Sequence, residues 1–151
     1  MRLPIQIEAI LFKRADGKIQ YLLLKTIPRR GAFWQPITGG LVEGETKIEA
    51  LKREVREETG ITNIIKMIED VHYYEVPDPS LIEYFKRHGQ ACKQVKEYVF
   101  GVEVSSDEGV GLDGKEHSDF RWCSFHEALK LMEYEGYKDA LKRLDRILSP
   151  V

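Results

Sequence analysis

Four carboxylates, Glu45, Glu54, Glu57 and Glu58, crowd one stretch of the chain, GGLVEGETKIEALKREVREETGI, running from Gly39 to Ile61. On a helix of about 3.6 residues per turn, positions 54, 57 and 58 stand at i, i+3 and i+4 and share one face. Like charges at that spacing repel by a few tenths of a kcal/mol per pair, a cost that a purely structural helix would avoid. The ordinary fate of Glu-rich helical sequence is a solvated face, but the spacing here, flanked by glycines, points to a bound positive charge. Oxygen-only ligands suit a hard cation, Mg²⁺ or Mn²⁺, which keeps several waters and completes its shell with substrate phosphates.

The helix that carries these acids must be anchored elsewhere. Ile48, Leu51 and Val55 form an apolar stripe on an adjoining face, so one side docks on a core while the next presents charge to a cleft. Thr46 with Glu49 three residues on has the pattern of a capping box, and Gly60 supplies the C-terminal stop.

The full spacing is Gly39, five residues, Glu45, seven residues, Arg53-Glu54, Val55, one residue, Glu57-Glu58, one residue, Gly60-Ile61. Every fixed glycine, acid, arginine and aliphatic position of the Nudix box is present, and the chain resembles the Nudix hydrolases. The resemblance implies an α/β/α sandwich around a mixed sheet, with the box as a loop-helix-loop that binds Mg²⁺ or Mn²⁺ and positions a diphosphate for hydrolysis. It makes Glu54, Glu57 and Glu58 metal ligands, Arg53 the residue that orients the acids, and Glu45 a supporting acid. Gly39, Gly40 and Gly60 become places where a Cβ would obstruct a turn or the approach to phosphate. Many family members also carry a Glu-His pair before an aromatic-rich strand. Glu116 is thereby a further metal ligand or general base, with His117 positional. Between Glu57 and Glu116 the choice of base stays open.

Substrate follows from the resemblance less sharply. FWQPITGG, with Thr38 where many relatives carry proline, and EHSDFRWCSFHEAL are similar to the subgroup of dihydroneopterin triphosphate and deoxynucleoside triphosphate pyrophosphatases. The leading expectation is Mg²⁺-dependent cleavage of a nucleoside or pterin triphosphate to monophosphate and pyrophosphate. The second segment is also similar to diadenosine tetraphosphate hydrolases, which gives the alternative. Pro77 alone speaks for an ADP-ribose or nucleotide-sugar pyrophosphatase, and a non-catalytic nucleotide-binding domain would be expected to have lost a box glutamate.

With 151 residues, 42% hydrophobic, the chain has the size of one domain, residues 1–151. A net charge of −2 gives no surplus for a nucleic-acid polymer. The N-terminal MRLPIQIEAILF, interrupted by Gln6 and Glu8, is too short and too polar for a membrane span. Cys92 and Cys123 lack metal or disulfide spacing, which fits a reducing, cytoplasmic compartment. The expected partner is a small molecule, and monomer and homodimer both remain open.

Around the box, residues 4–13 and 19–25 predict a hairpin turning at Asp16-Gly17, and the run Tyr21 to Leu24 predicts burial on both sheet faces. Residues 64–74, 95–104 and 119–122 predict further strands. Residues 80–88 predict a short helix or an ordered insertion, and 124–132 and 137–148 predict helices, the last with Ala140, Leu141, Leu144, Ile147 and Leu148 on one stripe. Lys25, Arg29 and Arg30 either neutralise substrate phosphates or belong to a solvated loop. Trp34 could stack on a heterocycle, though a tryptophan beside a buried strand is more often core. His72, among aromatics, reads as a strand residue.

Overall fold

The computed structural model describes residues 1–90 and 92–149. In chain order its strands and α-helices are β1 (Arg2–Ala15), β2 (Lys18–Thr26), β3 (Trp34–Gln35), β4 (Ile37–Val42), α1 (Lys47–Thr59), β5 (Ile64–Val76), α2 (Pro79–Arg87), β6 (Val95–Val104), β7 (His117–Cys123), α3 (Phe125–Leu131) and α4 (Glu135–Leu148). The sheet is mixed: β1 runs parallel to β6, and the remaining pairings, β1 with β2 and β4, β2 with β3 and β7, and β5 with β6, are antiparallel.

The hairpin closes at Asp16-Gly17, both with positive φ, the backbone a two-residue turn demands. Alternation along β1 then assigns its faces. Ile7, Ala9 and Leu11 pack with Leu51 and Val55 of α1, whereas Ile10 and Phe12 pack with Ala140, Leu141 and Leu144 of α4. The run Tyr21 to Leu24 is buried throughout and split between these two cores, as its unbroken apolar character predicts. A helix on each face therefore makes the three-layered α/β arrangement. Truncating Leu51 to alanine would cost about 2–5 kcal/mol, because the contacts come from both α1 and the sheet.

Ile147 departs from its expected place: it sits at the margin of the α4 stripe in the last turn and is half exposed, while Leu148 packs on the core. Among the described residues, no helix is long and apolar enough to cross a membrane.

Candidate active site

The box helix α1 starts as its sequence requires. The Thr46 hydroxyl accepts from the Glu49 amide, the Glu49 carboxylate accepts from the Thr46 amide, and Gly60 closes the helix in the left-handed region. The glycines at the other end of the box lie in a strand: Gly39 and Gly40 belong to β4, opposite Ile7 and Gln6 of β1. The loop of the box is thereby confined to the turn between β4 and α1. At Gly39 a Cβ would overlap the Glu54 carboxyl group, so only glycine lets that side chain lie flat against the strand.

Arg53 holds the acids in place. Its Nε donates to Glu45 Oε2 at 2.7 Å, Nη1 to Glu54 Oε1 at 2.7 Å and Nη2 to the Gly40 carbonyl at 2.9 Å. Glu57 Oε2 is farther from Nη1, at 3.4 Å, with its side chain 53% exposed. One guanidinium thus ties the turn, the strand and the helix face together, and charge-assisted bonds of this kind are about twice as strong as neutral ones. The same contacts, with Glu45 first, raise the pKa of Arg53 further, and the Arg53 hydrogen bond holds Glu45 below the usual carboxylate range.

Glu58 is different. Its side chain is 2% exposed, and neither carboxylate oxygen has a hydrogen-bond partner. Burial, followed by the charges of Glu54, Glu116, Asp113 and Glu57, pushes its pKa up to about 9. Burial also raises Glu54, against the opposing pull of Arg53. Glu58, Glu116 and His117 bring one potential ligand atom each to within 4.8 Å of one another.

His117, which the sequence left as merely positional, is buried beside Glu58 with Nδ1 3.6 Å from Oε1. Its Nε2 lies 3.0 Å from Nε2 of Gln35, whose Oε1 faces the Tyr137 hydroxyl at 3.4 Å. The polarity of this chain runs one way. Tyr137 donates to the amide oxygen, the Gln35 amide N–H donates to Nε2, and the imidazole proton is left on Nδ1, facing Glu58. Burial lowers the His117 pKa, which favours this neutral form.

The remaining expected residues divide. Arg30 reaches Glu116, with Nη2 3.6 Å from Oε1, and the backbone N–H of Ile27 donates to the Glu116 carbonyl, so the basic turn is tied to the acids. Arg29 is exposed on the same turn. Lys25 lies over the Trp34 ring, 5.9 Å from its centroid, and Trp34 itself packs partly buried against the α4-side core. Thr38 pairs with Glu8 across the β1–β4 ladder.

The donor set fits a hard divalent cation: carboxylates predominate, the buried Glu58 oxygens are orphaned, and Gly39 leaves room for Glu54. An uncompensated buried carboxylate is costly, and a cation beside it would restore its ionised form.

The family model of the NUDIX domain matches residues 5–144. The chain is 31% identical over 144 residues to an octanoyltransferase of Myxococcus xanthus, with 93% of this chain matched but spanning only 36% of that protein's length. It is 26% identical over 141 residues to the asymmetrical bis(5'-nucleosyl)-tetraphosphatase of Caenorhabditis elegans, covering 93% of both. Among solved structures, a NUDIX hydrolase from Listeria monocytogenes superposes with a TM-score of 0.81 at 28% identity, covering 98% of this chain and 97% of that one. A box whose glycine, arginine and glutamates meet in space as their spacing requires, inside a fold matched end to end, has one explanation: this chain belongs to the Nudix hydrolase family.

Proposed function

We propose that the chain, as a single domain, hydrolyses a phosphoanhydride bond of a nucleoside or pterin triphosphate, yielding the monophosphate and pyrophosphate, with Mg²⁺ or Mn²⁺ held by Glu54, Glu57, Glu58 and Glu116. The observation that carries this reading is Glu58: a buried carboxyl group with both oxygens unpartnered, set among four other carboxylates. A bound divalent cation would neutralise phosphate oxygens and make an attacking water more acidic. Arg53 keeps Glu54 and Glu45 in fixed positions, so little reorganisation is needed when charge develops on phosphorus. Arg30, with Arg29 on the same turn, offers positive charge to phosphate oxygens beyond the reach of the acids.

The general base must meet the attacking water. Glu57 and Glu116, with side chains 53% and 42% exposed, have that access, whereas Glu58 is shut in. The heterocycle has a place as well. A cavity of about 550 Å³ opens beside the turn that carries Arg30, lined by Phe33, Tyr74, Tyr134 and Tyr137 among others. Aromatic walls with hydroxyl tips suit a flat, polar-edged ring. The Arg29–Phe33 segment would thus have phosphate at one end and base at the other.

A dinucleoside tetraphosphate is the second reading, favoured by the full-length kinship to the worm tetraphosphatase. A screen with Mg²⁺ over deoxynucleoside triphosphates, dihydroneopterin triphosphate, diadenosine tetraphosphate and ADP-ribose, products resolved by chromatography, decides between them. Pyrophosphate from a triphosphate, lost in Glu58→Gln, supports the first reading, and ATP from diadenosine tetraphosphate the second. Nucleotide binding without turnover would identify a non-catalytic domain.

A further inference from the structure

A second pair of buried acids lies on the α4 side of the sheet, apart from the box. Gln6 and Glu97 are register partners in the parallel β1–β6 ladder, and Glu8, two residues along, points to the same face. Glu97 lines the 550 Å³ cavity with Gln6, Tyr74, Tyr134 and Tyr137, yet is only 4% exposed. Its Oε2 has one long contact, 3.5 Å from Gln6 Nε2. Glu8 stands beside it with no exposure: Oε1 accepts from the Tyr74 hydroxyl at 2.8 Å, and Oε2 has no partner.

The box chemistry does not use these carboxyl groups, and as core residues they are costly. Farther along the same face of these strands stand Ile10, Phe12 and Val99, all apolar, and beside the acids the polar Gln6. A buried acceptor left unpaired forfeits about 1–3 kcal/mol, so a purely structural position would favour an apolar side chain. Here the acids stand against an aromatic-walled cavity of the size that holds a heterocycle.

We propose that Glu97, backed by Glu8, makes this cavity selective for a ring that presents two adjacent N–H donors, the 2-amino-4-oxopyrimidine edge common to guanine and the pterins. This rests on the heterocycle of the proposed substrate entering the cavity. A carboxylate offers two parallel acceptors. Guanine and pterin meet them with a ring N–H beside an amino group. Adenine and cytosine set a ring lone pair beside the amino group, and thymine has a single N–H between two carbonyls. Either mismatch leaves a buried carboxylate oxygen facing a lone pair or nothing, the situation in which polar sites discriminate most strongly. Tyr74 and Tyr134 stand on the cavity wall and supply stacking surface for either ring. Burial also raises both acids, so the empty pocket does not carry a full double charge that would repel phosphates.

The test has two arms. In the first, the wild-type protein is titrated with guanosine, neopterin, adenosine and thymidine, none carrying phosphate, by calorimetry or chemical-shift mapping. Guanosine or neopterin should bind at least about tenfold tighter than the other two, the worth of one well-made charged hydrogen bond. Equal binding of adenosine overturns the proposal. In the second arm, kcat/KM is measured on dGTP, dihydroneopterin triphosphate, dATP and dTTP for wild type and Glu97→Gln. The glutamine amide offers one acceptor and one donor, the complement of adenine. The preferred substrate should therefore lose about 100-fold, mainly through KM, while dATP gains relative to it. An unchanged order of preference in the variant overturns the proposal, since a merely structural role would not reorder bases. Selective nucleoside binding without any triphosphate turnover would sink the triphosphate-hydrolase reading and leave this one standing. Turnover without base preference would do the reverse. Should the variant not fold, the nucleoside titration decides alone.

Discussion

The molecule buries carboxyl groups in two places and treats them in opposite ways. On the α1 side, Glu54 and Glu58 are surrounded by further acids, with Glu54 braced by Arg53 and Glu58 left with both oxygens unpartnered. On the α4 side, Glu8 accepts from a tyrosine hydroxyl through one oxygen and keeps the other unpartnered, Glu97 meets a glutamine amide, and among the described residues neither forms a salt bridge to a basic side chain. Both settings raise the pKa by desolvation. The first adds the charges of four acids around Glu58, which a cation relieves, and the second adds fewer like charges together with neutral donors, which leave room for a neutral ring. A buried acid is thus a question about its neighbours: Arg53 and three glutamates point to metal and phosphate, and tyrosines to a heterocycle.

The contrast breaks most visibly at Glu58. Glu58→Gln should reduce turnover by about 10²- to 10³-fold, the scale of losing a principal electrostatic group. Mn²⁺ affinity read by electron paramagnetic resonance should fall with it, while the metal-free protein stays folded. Retained Mn²⁺ binding and activity would place the chemistry elsewhere. The neighbouring glycines give a finer comparison. Gly39→Ala drives a methyl into the Glu54 carboxyl group, whereas Gly40→Ala meets the side chain of Arg2, whose guanidinium can swing aside. Displacing a positioned acid by about 1 Å costs about 10²-fold, so kcat should fall by that factor in the first variant and less than tenfold in the second. Equal losses would mean that both glycines serve only the strand.

The second pair of acids sharpens the comparison through pH. Burial, the largest cause, pushes Glu97 from the ordinary 4.5 up to about 7. Below pH 4.5 the folded and unfolded chains both hold the proton and the residue is neutral in the balance. Between 4.5 and 7 the unfolded chain releases it while the folded chain keeps it, so wild-type stability declines, levelling off above 7. Glu97→Gln removes that loss. Its advantage over wild type in urea unfolding should grow by about 3 kcal/mol from pH 4 to pH 8, at about 1.4 kcal/mol per unit. A difference that stays flat with pH would show that Glu97 is ionised at no cost in the fold.

Much of this was legible along the chain. The capping box of Thr46 and Glu49, the stripe of Leu51 and Val55, and the turn at Asp16-Gly17 depend on residues within a few positions of one another, and local spacing reveals them. What stayed hidden depends on strand register. His117 meets Glu58 because β7 pairs with β2, placing His117 opposite Thr26, and no periodicity in either segment encodes that pairing. Glu97 reaches the cavity through the parallel ladder between β1 and β6, strands that lie far apart in the sequence. The available signal was Glu8, an acid interrupting an apolar strand, which at the sequence level only argued against a membrane span.

The smallest expected effect belongs to Arg30, where the basic turn meets the acids. Its guanidinium is 3.6 Å from Glu116, but both side chains are about half exposed, so the pair itself contributes little to stability. If the turn serves phosphate, Arg30→Ala should raise KM about three- to tenfold with kcat nearly unchanged, since a binding contact made equally in ground and transition states acts on KM alone. The increase should shrink as salt is raised from 0.05 to about 0.5 M, because exposed charges are screened over a shorter distance. Thermal unfolding should hardly move. A fall in kcat instead would mean that Arg30 acts through Glu116, holding that carboxylate where the water must be met, and would favour Glu116 over Glu57 as the base.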